Sequence, residues 1–152
     1  MTSPPETDRE YAYFSATGVG DAKIVDDLMN MNNSEYWNIG DQFKRMERKF
    51  SRKYSCWRLD SGYDDTHELE KHIEALLLKL GPKLETLNKI RPEFELKITC
   101  VSYTYQSFGF ELPFELQRQA TSLGIGFSFD FYPFGDIHED IVEMRAQLKL
   151  KR

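Results

Sequence analysis

Alternating apolar and polar positions predict the β-strands of this chain, because successive side chains of a strand point to opposite faces of a sheet. Four stretches show the alternation: residues 10–17, 55–60, 94–105 and 126–134. In the last of them Phe127, Phe129 and Phe131 alternate with Ser128, Asp130 and Tyr132. We expect the phenylalanines to face a hydrophobic core and the polar side chains to face outward.

Apolar residues at helical spacing predict helices between these strands. The first has Asp21 as its N-cap, and its expected inward residues are Ile24, Val25, Leu28 and Met29. The longest opens with a capping box of Asp65 and Glu68. Its buried stripe comprises Leu69, Ile73, Leu76, Leu77 and Leu80, and after the break at Gly81-Pro82 it continues with Leu84, Leu87 and Ile90.

Two further helices and one ambiguous segment complete the pattern. A helix is predicted over residues 112–123, with Gly124 as its C-cap, and another over residues 136–152. Residues 35–54 are harder to interpret, and we predict a short strand followed by an exposed loop or helical turn.

The order of these elements predicts an α+β fold. Its first six elements match the ferredoxin-like βαββαβ pattern, to which a helix, a strand and a C-terminal helix are added. We expect a two-layer sandwich with a mixed sheet, in which the helices cover one sheet face and the other face stays partly open. Residues 1–9 are predicted to be a disordered N-terminus and residues 10–152 a single globular domain.

Composition indicates a folded, acidic protein. The 152 residues are 40% hydrophobic and 30% charged, with a formal net charge of −5, which argues against a generic polyanion binder and favours solubility or a basic partner. No apolar run approaches the roughly 20 residues of a membrane span, and the N-terminus has no signal-peptide pattern. We therefore expect a cytoplasmic protein without membrane contact, in which Cys56 and Cys100 are buried thiols.

Residues that could carry catalysis or hold a cofactor do not form a known constellation. Gly18-Val19-Gly20 begins a dinucleotide fingerprint, but Lys23 occupies the third glycine position, so a steric turn is the better interpretation. His67 and His72 are expected on different faces of a helix. Ser61 and Cys56 lack a partner base at a known spacing. We predict no enzymatic activity, no cofactor and no metal.

The outer side of the sheet is the main candidate for recognition. Tyrosine provides a large contact area at low entropic cost, so a tyrosine-rich face favours protein binding. The alternative is that the C-terminal helix covers this face. The expected partner-binding residues are Tyr11, Tyr13, Tyr103, Tyr105, Asp130 and Tyr132, together with the acidic residues Asp64, Asp65 and Glu68.

A local basic cluster supports an alternative function, the binding of single-stranded nucleic acid beside an aromatic sheet face. Asp41 and Glu47 interrupt the cluster, no RNA-binding signature accompanies it, and Asp130 would repel phosphate. A solvated loop is therefore favoured, and we do not expect nucleic acid as the partner. The residues of the cluster are Lys44, Arg45, Arg48, Lys49, Arg52, Lys53 and Arg58.

The chain resembles a bacterial family known as domain of unknown function 4279. The similarity spans about residues 10–134 and consists mostly of packing residues, so it implies no catalytic residues. Small acidic proteins of such families include toxin-immunity proteins, which implies a non-enzymatic domain that neutralises a basic toxin by direct contact. The matching features are Asp21 to Ile24, Trp37 with Gly40-Asp41, Trp57 with Ser61, the His72 to Leu80 helix, and Leu123-Gly124 before Phe129 to Tyr132.

Overall fold

A computed structural model describes residues 8–105, 109–133 and 146–147. The predicted helix over 136–152 therefore lies, apart from residues 146 and 147, outside the described residues. The strands are β1 (Arg9–Gly18), β2 (Ser34–Trp37), β3 (Gln42–Arg45), β4 (Arg48–Ser51), β5 (Ser55–Asp60), β6 (Phe94–Thr104) and β7 (Gly126–Pro133). The helices are α1 (Ala22–Met29), α2 (Leu69–Leu80), α3 (Leu84–Ile90) and α4 (Phe114–Leu123), with a 3₁₀ turn at Gly81–Lys83 between α2 and α3.

Five strands form one mixed sheet in the order β2-β5-β1-β6-β7. The strand β1 is antiparallel to β5 on one side and to β6 on the other, whereas β6 and β7 are parallel. The predicted α+β class and mixed sheet are thus confirmed. The element order departs from βαββαβ because β3 and β4, which form a separate two-stranded sheet, lie between β2 and β5.

The hydrophobic core lies between the helices and one face of this sheet. Phe14 and Ala16 of β1 are fully buried there, and so are Trp57 of β5 and Ile98 of β6. The indole of Trp57 meets the Phe14 ring edge-on, with ring centroids 6.0 Å apart, and its N–H donates to the Asp26 carboxylate at 2.9 Å.

Cys56 and Cys100 are buried free thiols, as predicted. No helix in the described part of the chain is long and apolar enough to cross a membrane.

The prediction of a loop or helical turn after β2 is wrong, because residues 42–51 form a β-hairpin. Its two turn residues, Met46 and Glu47, have φ values of 51° and 64°. Two consecutive positive φ values are typical of the type I′ hairpin turn, which normally uses Asn-Gly. Met46-Glu47 is not a residue pair that favours this turn, so the hairpin could not be predicted from the sequence. The stacked rings of Phe43 and Phe50, 5.6 Å apart, join the two strands.

The inward face of α1 differs from the prediction. Ile24 and Leu28 are 56% and 40% exposed, whereas Ala22, Val25 and Met29 are buried. The helix has only eight residues, which are too few for the spacing of its apolar side chains to identify the buried face.

The capping box predicted for the longest helix is also wrong. The helix α2 begins at Leu69, and the side chain of its N-cap, Glu68, makes no capping hydrogen bond. The Glu10 carboxylate of β1 instead accepts from the Leu69 backbone N–H at 3.3 Å. The Asp65 backbone carbonyl accepts from the Glu10 N–H at 3.0 Å. A carboxylate from a distant strand thus caps the helix. The predicted stripe of α2 is buried, although Leu84 beyond the break is 42% exposed.

The phenylalanines of β7 lie on the helix side of the sheet, as predicted, but not all are in the core. Phe127 aligns with Ile98 of β6 and packs partly against the core. Phe129 and Phe131 are 45% and 41% exposed. Among the described strands, β6 alone flanks β7 in the sheet, and the Phe129 ring packs against Phe127 and Phe110.

Leu76 and Leu78 of α2 offer a matched test of the core. We expect Leu76→Ala to lower the free energy of unfolding by about 2 to 5 kcal/mol, because it removes a fully buried side chain and leaves a cavity. Leu78, which is 80% exposed, should give less than about 0.5 kcal/mol when changed to alanine. Urea unfolding followed by circular dichroism measures both. Equal losses for the two variants would contradict the assignment of the buried face.

Candidate functional site

The sheet face opposite the helices α1 to α4, which we call the open face with respect to these four helices, carries a row of stacked tyrosines. Ring centroids are 6.4 Å apart between Tyr13 and Tyr11, 6.5 Å between Tyr11 and Tyr103, and 5.0 Å between Tyr103 and Tyr132. We call these four residues the tyrosine row. The structure therefore brings together tyrosines from β1, β6 and β7 that the alternation placed on one face.

The remaining residues of the predicted face have different positions. Asp130 is aligned with Val101 of β6 and lies on the open face beside the tyrosine row. Tyr105 follows the last residue of β6, and its backbone N–H donates to the Asp8 carboxylate at 2.9 Å. Tyr105 thus lies immediately after the end of β6.

Two arginines flank the tyrosine row. The Arg58 guanidinium lies 3.7 Å from the centroid of Tyr13, and the Arg9 guanidinium lies 4.7 Å from that of Tyr103. Cations at these distances interact favourably with the ring faces. Burial, with a hydrogen bond to Tyr103, raises the pKa of Tyr11 to about 12. The Tyr11 phenol is therefore neutral at physiological pH.

A cleft of about 600 Å³ lies between the β3–β4 hairpin and the open face; we call it the hairpin cleft. Ser15, Cys56 and Thr99 line it from the sheet, and Phe43 and Phe50 line it from the hairpin. Burial raises the pKa of the Cys56 thiol, which therefore stays protonated. The cleft combines apolar rings with a floor of neutral polar groups.

A hydrogen-bonded anchor at Asn38 fixes the base of the hairpin. Its backbone N–H donates to the Asp41 carboxylate at 2.8 Å, and its side-chain oxygen accepts from the Ala22 N–H at 2.8 Å. The Asn38 amide nitrogen donates to Asp21 at 3.1 Å. The hairpin is thereby tied to the first turn of α1.

The structure divides the basic cluster into two groups. Arg52 turns inward, with its guanidinium 4.0 Å from the ring centroids of both Trp37 and Phe43. Lys53 and Arg58 also line the hairpin cleft. The predicted basic cluster is thus split between the cleft and the exposed hairpin surface. The residues left on the exposed hairpin are Lys44, Arg45, Arg48 and Lys49.

A second cleft, of about 720 Å³, is acidic and lies next to the first. Arg58 lines both clefts. Tyr11 of the tyrosine row also lines the acidic cleft. Its four carboxylates are those of Glu35, Asp60, Asp64 and Asp65.

Of the three predicted acidic residues, two contribute to this cleft. Hydrogen bonds from the Thr66 hydroxyl, the Thr66 backbone N–H and His67 lower the pKa of Asp64 to about 2, so its carboxylate is ionised at neutral pH. Asp65 lines the same cleft. Glu68 instead lies at the start of α2 in a separate groove, with Glu10 and Phe110.

Ser61 and His72 form a pair that the sequence reasoning missed. The Ser61 Oγ lies 2.5 Å from His72 Nδ1, and the Tyr63 backbone N–H donates to that Oγ at 3.2 Å. The two positions differ by eleven, across a loop and the start of a helix, and no spacing rule for strands or helices places them in contact. Burial lowers the pKa of His72, which favours the neutral imidazole.

This pair has the contact of an activated serine and lines the acidic cleft, but both side chains are buried. Serine activation needs an imidazole oriented by a third group and a hydroxyl that a substrate can reach. Ser61 is 4% and His72 0% exposed, and His72 Nε2 has no hydrogen-bond partner among the described residues. These features favour a packing role. Within the same described part of the chain, no three His, Cys, Asp or Glu side chains could hold a metal ion together.

The fold and its site define a class: a small α+β domain in which helices cover one sheet face and two clefts of opposite charge meet at Arg58. The chain belongs to the family described as domain of unknown function (DUF4279), which matches residues 8–134, more than four-fifths of its length. The resemblance drawn from individual residues is thus confirmed. No curated protein and no solved structure matches the chain.

The buried His72 should make stability depend on pH. Because burial lowers the pKa of His72 in the folded protein, the unfolded chain takes up a proton first as pH falls. The free energy of unfolding should therefore decrease as pH drops through about 6.5. We expect His72→Asn, whose amide oxygen can still accept from Ser61, to show a smaller decrease in urea unfolding between about pH 7.5 and 5.

His67 provides the control. Its side chain is 36% exposed, so His67→Asn removes an imidazole that is not buried and should leave the contribution of His72 to the pH dependence in place. An NMR titration of the wild-type imidazole signals gives a second, direct measurement of the His72 pKa. A wild-type pH dependence in His72→Asn, or a titration of His72 at or above about 6.5, would contradict the expected effect of burial.

Proposed function

We propose that this protein is a non-enzymatic binding protein that recognises a basic protein partner through the tyrosine row and the acidic cleft. One observation carries the proposal: Tyr11 belongs to the row and also lines the cleft. The aromatic surface and the carboxylates are therefore contiguous. They offer one partner both apolar contact and negative charge.

The chemistry of this surface suits protein recognition. Buried tyrosines at the centre of an interface contribute much of the binding energy, since they bring large area and few rotatable bonds. Tyr132 is 46% exposed at the end of the row and so has area left to bury. The four carboxylates of the cleft face a single cation, Arg58. A basic segment of a partner complements that charge.

The specific form that we propose is neutralisation of a basic toxin domain by direct contact, in the cytoplasm of a bacterium. The net charge of −5 supports a basic partner, because it would speed association with one. The buried free thiols support a reducing compartment. The buried setting of Ser61 and His72 supports a role without catalysis.

We also propose a ferredoxin-like arrangement for the unit β1, α1, β2, β5, α2 and β6. The sheet order β2-β5-β1-β6 supports it, together with the antiparallel pairing of each neighbouring pair. The hairpin is then an insertion between two core strands. The helix α4 and strand β7 extend the sheet by a parallel crossover.

Tyr132 and Tyr36 allow a matched test of the recognition surface. Tyr36 is 41% exposed, similar to Tyr132, but lies on the opposite face, aligned with Trp57. A photo-crosslinking amino acid at position 132 would first capture the partner in the source cell, for identification by mass spectrometry. With the purified partner, we expect Tyr132→Ala to raise the Kd about 30-fold, as loss of a hot spot does, and Tyr36→Ala to change it less than about twofold.

The identity of the partner, the Kd values of the two tyrosine variants and the growth of the cells together test the proposal. A basic partner whose affinity falls with added salt and with Tyr132→Ala supports the proposal. If that partner arrests growth when expressed alone and coexpression of this protein restores growth, toxin neutralisation is supported as well. Crosslinks to nucleic acid, an acidic partner, or equal Kd values for the two tyrosine variants would contradict it.

A further inference from the structure

The floor of the hairpin cleft places two cations on either side of one hydroxyl. Ser15 of β1 is aligned with Arg58 of β5 on one side and with Lys97 of β6 on the other. Directly opposed residues have Cβ atoms about 5 Å apart. Arg58 and Lys97 therefore lie about 10 Å from each other, with a buried hydroxyl between them. A small anion placed over Ser15 could reach both.

A third cation enters from the hairpin side. The Arg52 guanidinium is held between the rings of Trp37 and Phe43, 4.0 Å from each centroid. This double contact orients the guanidinium without neutralising it. Within residues 8–105 and 109–133, neither Arg52 nor Lys97 forms an ion pair, whereas Arg58 lies 3.3 Å from the Asp60 carboxylate. Two of the three cations are thus available to a ligand.

The balance of charge in the hairpin cleft is opposite to that of the protein. Four cations line it, Arg52, Lys53, Arg58 and Lys97, against one carboxylate, that of Asp130. The whole chain has a net charge of −5. Like charges gathered in one cleft repel each other, and a bound anion would relieve that repulsion. The neutral Cys56 thiol adds no opposing charge.

The apolar lining indicates the rest of the ligand. Trp37, Phe43 and Phe50 present ring surfaces beside the cations. Small-molecule sites combine such apolar walls with a few convergent polar groups, in cavities of about 300 to 1,000 Å³. The hairpin cleft, at about 600 Å³, falls in this range. A flat unsaturated ring would stack on these side chains.

We infer that the hairpin cleft binds a small organic anion, a carboxylate or phosphate attached to a planar ring. The anionic group lies over Ser15 between Arg52, Arg58 and Lys97, and the ring packs against Phe43 and Trp37. The hydroxyls of Ser15 and Thr99 donate to the anion from the floor. This ligand is additional to the proposed protein partner, which contacts the acidic cleft on the other side of Arg58, although Tyr13 of the tyrosine row also lines the hairpin cleft.

Amide chemical shifts of the ¹⁵N-labelled full chain test the inference. Four probes separate the contributions: indole-3-acetate and adenosine 5′-monophosphate carry ring and anion, adenosine the ring alone, and inorganic phosphate the anion alone. We expect indole-3-acetate, adenosine 5′-monophosphate or both to shift the Ser15, Thr17 and Thr99 amides until saturation. The probe that binds more tightly shows whether the site prefers a carboxylate or a phosphate. Adenosine and phosphate should bind about tenfold more weakly or not at all.

Three charge-removing variants locate the site. Arg52→Gln should raise the Kd of the bound probe about tenfold, which corresponds to the loss of one charge-assisted hydrogen bond. Lys97→Gln should act in the same direction and leaves the hairpin contacts of Arg52 intact. Lys49→Gln removes the same charge from the hairpin without touching the cleft lining, so it should change the Kd less than about twofold.

Several results would overturn the inference. One is the absence of cleft shifts with both charged-ring probes at about 10 mM. Another is equal affinity for adenosine and adenosine 5′-monophosphate, which would remove the role of the anion. A Kd that rises equally in Lys49→Gln and Lys97→Gln would indicate general electrostatic attraction rather than a site.

Discussion

The position of β1 at the centre of the sheet is the constraint on which the rest of the structure depends. It pairs with β5 along one edge and with β6 along the other. Its even-numbered residues, such as Phe14, are in the core, and its odd-numbered ones, such as Tyr11 and Ser15, form the open face. A slip of one residue would exchange the two sets. The same register therefore fixes the hydrophobic core, the tyrosine row and the floor of both clefts.

Local periodicity was sufficient to predict much of the fold but little of the site. Period-two alternation located β1, β5, β6 and β7, because each has one apolar face, and the stripe of α2 was equally clear. The hairpin was hidden, since Met46-Glu47 adopts a turn usually made by other residues. The tyrosine row could be predicted from alternation. The clefts could not, because they depend on where a separate hairpin lies over the sheet.

Long-range contacts explain the other errors. Glu10 caps α2 from 59 residues away, whereas the local sequence pattern points to Asp65. Arg52 looked like part of a solvated basic run, yet its neighbours are aromatic rings of β2 and β3. The net charge of the chain likewise does not describe the charge of its individual clefts. A chain with an excess of carboxylates concentrates cations in one cleft and anions in the next, and Arg58 borders both.

The attachment of the hairpin has a consequence for how this fold can diversify. A two-stranded sheet is marginal by itself, and this one is held at its base by Asn38 and by the Arg52 backbone, which exchanges hydrogen bonds with Gly40 and Asp41. None of these groups belongs to the hydrophobic core. Substitutions along residues 42–51 can therefore alter the roof of the cleft at little cost in folding stability. One scaffold could thus acquire new ligands by changing ten residues that contribute nothing to its core.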